Sequence, residues 1–147
     1  MNTQASAATG MMAWLYMDSF RRRKLSATGV CLGCIVGLVG ITPGAGYVST
    51  GAALLIGLVT SICANICCFF IKNTADIDDT LDVFSCHGIG GMVGLLLTSL
   101  FADSAINPTV TQENGSNGAF VEGGSCVLLL KTLAIIAALV PSILLVT

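Results

Sequence analysis

Charge is the scarcest property of this 147-residue sequence. Only 10% of its residues are Asp, Glu, Lys or Arg, against about 25% in an ordinary soluble domain. There is one histidine and one tryptophan, and the net charge is −2. Such a chain offers no basic surface for a phosphate backbone, which excludes a nucleic-acid partner. It also lacks the charged shell of a cytosolic enzyme domain and the polar composition of a disordered segment. What it has instead is 54% hydrophobic residues, 17 glycines and a mean hydropathy of +0.90. Lipid is the solvent that suits this composition. A span takes roughly 20 apolar residues, so the length has room for about five.

The few charges divide the chain. Apolar blocks are expected over residues 4–20, 27–46, 48–71, 83–102 and 125–146, giving an all-α polytopic transmembrane helix bundle. Asp18 interrupts the first block, and Pro43 with its flanking glycines breaks the end of the second. Arg21, Arg22, Arg23 and Lys24 fill the first loop and Lys72 opens the third, whereas the second and fourth loops carry no Lys or Arg. The positive-inside rule then places the first and third loops in the cytoplasm, with the amino terminus outside and the carboxyl terminus inside. Asn114-Gly115-Ser116 is a glycosylation acceptor pattern in the fourth loop, on the expected outer side. Residues 1–10 lack the basic region and cleavage site of a signal peptide, so insertion is expected to be directed by the spans themselves.

Packing in lipid depends on close approach through small residues. Gly29, Gly33 and Gly37 recur one helical turn apart, with Gly40 beyond. Gly90 and Gly94 repeat the spacing in the fourth span. Thr60 and Asn65 are candidates for bonds between helices. The seven cysteines are odd in number and lie mostly inside spans, where the residue acts as a small apolar group, so no disulfide framework is expected. Cys31 and Cys34 have a redox or zinc spacing but no second ligand pair. No metal and no cofactor are therefore expected.

Ionisable residues at membrane depth are costly and usually functional. His87, inside the fourth span, has in its neutral form one donor and one acceptor and can pass a proton or a hydrogen bond along; the bland alternative is a buried histidine bonded to a carbonyl. Asp82, at the start of that span, reads first as a carboxylate favoured by the helix N-terminus. Asp78 and Asp79 read as solvated loop charges, and Lys131 as a side chain that snorkels to the interface.

The run Asp82-Val83-Phe84-Ser85-Cys86-His87-Gly88-Ile89-Gly90-Gly91 resembles the second histidine motif of the ammonium transporter family, the Amt/Mep group. Asn2-Thr3-Gln4, the stretch Gly37 to Tyr47, and Asp78-Asp79 before Leu81-Asp82 resemble further stretches in the family's order, so the resemblance covers most of residues 2–103. It implies the last five helices of an eleven-helix fold, a homotrimer in the cell membrane, and conduction of ammonium or ammonia through a narrow pore in each protomer. On that resemblance His87 matches the second of two paired pore histidines. Val83 falls where the family lines the cytoplasmic part of the pore, and Asp82 matches an aspartate at the pore helix's inner end. Ser85 and Cys86 replace the family's common Gly and Val, which is expected to narrow the space beside the pore helix. The first histidine, the outer recruitment site and the aromatic gate belong to the family's first six helices. Met1 is therefore expected to be an internal or alternative start and Thr147 a cut within the last helix. The chain alone is expected not to transport and not to be an enzyme. Two rival readings stay open: a non-transporting helix bundle or partner subunit, or a truncated gene-model fragment, and a membrane redox or metal protein using Cys31, Cys34 and His87.

Overall fold

The computed structural model describes residues 1–21, 25–72, 82–110 and 117–146, with side chains as far as residue 138. Arg22, Arg23, Lys24, Asp78, Asp79, Leu81 and Asn114 lie outside the described residues. The chain is a helical bundle: α1 (Asn2–Phe20), α2 (Ala27–Ile41), α3 (Thr50–Phe70), a π-helical turn (Phe84–Ile89) that runs directly into α4 (Gly90–Phe101), and α5 (Val127–Val146).

Each boundary has a local cause. Ser26 and Ser49 sit in extended geometry ahead of α2 and α3, and their hydroxyls accept from the Gly29 and Ala52 N–H groups. This is the serine N-cap that satisfies an otherwise orphaned donor. The second span was expected to reach residue 46, but α2 ends at Ile41. Pro43 cannot continue the ladder, and the chain turns through Gly44 N–H to Ile41 carbonyl and Tyr47 N–H to Gly44 carbonyl bonds. The Asn2 side chain holds that turn from α1. Its amide donates to the Ala45 and Val48 carbonyls at 3.1 and 2.8 Å, and its oxygen accepts from Thr50 at 3.0 Å.

The core is where α1, α2 and α3 meet, and it is built from small residues. A Cβ placed on Gly33 would stand 2.6 Å from the Trp14 Cβ and 2.8 Å from the Gly10 carbonyl oxygen. Two serines lock the crossing. Ser6 Oγ donates to the Gly37 carbonyl and Ser61 Oγ to the Gly10 carbonyl, each at 2.7 Å. Gly40 of α2 packs against Thr60 of α3 and Gly94 of α4. Thr60 bonds its own helix, donating to the Ile56 carbonyl at 2.6 Å, so its part between helices is steric. Asn65 does reach another helix, as described below.

Outside this core the bundle exposes large apolar side chains, among them Phe20, Leu54, Leu55, Phe70, Leu130 and Ile135. A soluble monomer rarely leaves so much uncovered; lipid and further helices are the surfaces that would cover it. Among the described residues two helical stretches, Thr50–Phe70 and Phe84–Phe101, are long and apolar enough to cross a bilayer. Lys131 is exposed on α5.

Candidate functional site

The fourth span begins with an unusual backbone. Asp82 has φ +54°, the left-handed region that aspartate tolerates better than most residues. From there the chain winds as a π-helix over Phe84–Ile89, and the Gly90 N–H reaches back to the Ser85 carbonyl. A π turn inside a longer helix is rare and is found disproportionately at functional sites. His87 is on it.

This turn separates two faces. Val83 is 51% exposed, His87 is exposed as well, and the two stand one turn apart. One turn further, Gly91 faces open space. Among the described residues nothing hydrogen-bonds the His87 imidazole. On the other face Ser85 and Cys86 are buried, at 1% and 2% exposure. Cys86 packs with Trp14, Val36, Ala64 and Cys68. Ser85 and Cys86, expected to narrow the space beside the pore helix, are packed on this inward face. Ser85 Oγ is buried with no hydrogen-bond partner, a small polarity cost of placing serine on this face.

Asp82 does not act as a simple cap. It is 5% exposed, and its carboxylate is used in tertiary contacts. Oδ2 accepts from Lys72 Nζ at 2.7 Å and Oδ1 from the Cys68 thiol at 3.0 Å. It thus ties the end of α3 to the start of the histidine helix. Beside it lies a second polar group. Arg21 Nη1 donates to Asn65 Oδ1 and sits 4.7 Å over the Phe69 ring, while Asn65 Nδ2 donates to Asp18 Oδ1 at 3.4 Å. These residues line a cavity of about 640 Å³ at this end of the bundle, which also takes in Trp14, Ser26 and Gly29. Arg21 and Lys72 therefore share one end. The sequence signals for this cluster were Asp18 and Asn65, polar residues inside otherwise apolar runs, but their partners lie 44 and 47 positions away along the chain.

Cys31 is exposed on α2 and Cys34 is partly buried. Among the described residues no group of three His, Cys, Asp or Glu side chains converges as a metal site would require.

An apolar bundle without a covering shell, carrying one histidine on an exposed π turn, has the make-up of a piece of a polytopic membrane protein. Comparison with known proteins gives the family. The chain matches the Ammonium Transporter Family over residues 1–147 and belongs to it. It is 42% identical over 125 residues to ammonium transporter MEP2 of Saccharomyces cerevisiae, covering 84% of this chain and 24% of that protein. It is 36% identical over 138 residues to a putative ammonium transporter of Methanothermobacter thermautotrophicus, covering 94% of this chain and 33% of the relative. The crystal structure of Saccharomyces cerevisiae Mep2 superposes with a TM-score of 0.75 at 37% identity, over 93% of this chain and 31% of that one. Candida albicans Mep2 gives 0.73 at 36%, over 92% and 30%. The chain thus spans about a third or less of the length of these relatives.

Proposed function

We propose that this chain forms one part of the wall of an ammonium-conducting pore, with Val83 and His87 on the conducting face. The observation that carries the reading is the exposed pair Val83 and His87 on a helix whose opposite face is packed into the core. A neutral imidazole there offers a carrier of protons or hydrogen bonds, and Val83 supplies an apolar wall that disfavours the hydrated ion. Asp82 is assigned a positioning role, since its carboxylate oxygens are engaged by Cys68 of α3 and by Lys72 just beyond it. No covalent bond is made or broken, so the reading is transport and not enzymology.

The surroundings follow from the same reading. The cavity end, with Arg21 and Lys72, faces the cytoplasm by the positive-inside rule, which leaves the amino terminus of α1 outside. The assembly is a homotrimer in the plasma membrane, and Asn114 is an outer-side glycosylation acceptor. The remaining pore wall, including a partner for His87, comes from helices that these residues do not supply. Introducing Val83→Trp into the full-length protein that carries this chain tests the pore face. Uptake of ammonium by cells should be lost while surface expression is kept, and undiminished uptake would remove Val83 from the conducting path.

A further inference from the structure

The helix that carries His87 has glycines on two faces, and they have different causes. Gly94 is dictated by packing, since a Cβ there would stand 2.3 Å from the Gly40 carbonyl oxygen. Gly90 lies on the same inward side, buried, where a Cβ would touch Val39, Thr60 and Val36. Gly91 differs from both. A Cβ on it would meet nothing within 4 Å, and it is helical, with no positive φ to favour glycine. Glycine in a helix interior weakens it relative to alanine. Neither the backbone nor the packing of the described residues therefore calls for glycine at 91. Its position sets it apart. His87 and Gly91 are four residues apart, about one helical turn, and share a face. Val83, four residues before the histidine, is 51% exposed, and His87 is exposed too. Val83, His87 and Gly91 thus form one outward line, with Gly91 roughly 6 Å beyond the histidine along the axis.

We propose that Gly91 sets the size limit of the conducted molecule. The proposal rests on the transport reading above and names a selective position within it. In that orientation α4 runs from the cytoplasmic side outward, so a molecule arriving from outside passes Gly91 before it reaches the His87 imidazole. The missing side chain leaves room at that level for a methyl group carried by the passing nitrogen, and a side chain at 91 would fill the same room. One carbon more or less in an apolar passage changes discrimination about 10–200-fold. Ammonium has no such carbon and methylammonium has one, so the pair reads the width at Gly91 directly. The competing account is packing, in which a helix outside this chain lies against Gly91 as Gly40 lies against Gly94.

The test introduces Gly91→Ala and Gly91→Val into the full-length protein in liposomes. Gly51→Ala is the control, a helical glycine with open space that lies outside this line. Initial uptake of ammonium and of methylammonium is measured at matched protein density. In Gly91→Ala methylammonium uptake should fall about tenfold or more beyond any fall in ammonium uptake, and in Gly91→Val further still. The ratio of the two rates should be unchanged in Gly51→Ala. An unchanged ratio in the Gly91 variants overturns the proposal, whether both rates are kept or both are lost. Failure of Gly91→Ala to assemble overturns it as well, because it shows a neighbouring backbone in the space. Failure of the transport reading looks different. If Val83→Trp and His87→Ala leave ammonium uptake intact, that reading falls and takes this proposal with it. If they damage uptake while the Gly91 variants keep the ratio, the transport reading stands and Gly91 is not its selective position.

Discussion

The crossing of α1 and α2 sets a steep penalty on a single methyl group. In Gly10→Ala the new Cβ would lie 2.6 Å from the Gly33 carbonyl oxygen and 2.9 Å from the Gly37 Cα. Both obstacles are backbone, so no side chain can swing aside. Ordinary Cβ contacts start near 3.4 Å, and the helices must therefore part by roughly 0.8 Å. Overpacking of this kind costs about 1–3 kcal/mol. The same displacement stretches the Ser6 bond to the Gly37 carbonyl and the Ser61 bond to the Gly10 carbonyl. Interhelical bonds in lipid contribute about 0.6 kcal/mol each, which brings the expected loss to about 2–4 kcal/mol. The assay is thermal unfolding of the full-length protein in detergent, with Gly51→Ala as the control. Gly51 is helical and its missing Cβ would meet nothing within 4 Å, so alanine there should be neutral or stabilise by up to about 1 kcal/mol. If Gly10→Ala melted with Gly51→Ala, the close crossing would not be what holds α1 to α2.

Two further substitutions test the ends of the helices. Asp82→Asn keeps a residue that tolerates positive φ but loses the ion pair to Lys72, whose side chain is 45% exposed and can rehydrate; a loss of about 1–2 kcal/mol is expected in the same melting assay. Asp82→Ala should be worse by about 1 kcal/mol or more because it adds left-handed strain, and equal melting of the two would argue against that strain. Removing the α3 cap with Ser49→Ala should cost about 1 kcal/mol and Ser49→Gly only a few tenths, and the reverse order in melting temperature would show that the Ser49 hydroxyl is not the cap.

The all-helical class and the count of about five helices were legible because charge and apolar runs are a first-order signal in lipid. Gly29, Gly33 and Gly37 were legible as a packing face for the same reason, since their spacing follows one helical turn. The histidine motif also stood out, and the resemblance it carried pointed to the family that the comparisons show. The π turn was not legible. Nothing in Phe84-Ser85-Cys86-His87 marks a change of winding, and a straight α-helix would place the same residues in nearly the same order. The direction of Ser85 and Cys86 was not legible either: a substitution beside a motif does not say which face it lies on. Asp82 looked like a cap because a helix start attracts carboxylates, whereas its partners come from the end of α3. Trp14 and Asn65 gained their meaning only through contacts across the bundle, which no local pattern encodes.

The central claim is that His87 lies on a conducting path and does more than fill space. Ammonium-dependent current or uptake should be measured in liposomes containing the full-length protein, comparing His87→Ala with Cys34→Ala on α2 at matched protein density. Conduction or ion selectivity should be damaged by His87→Ala and close to unchanged by Cys34→Ala. Equal effects of the two substitutions would contradict the account and leave the fourth span as packing alone.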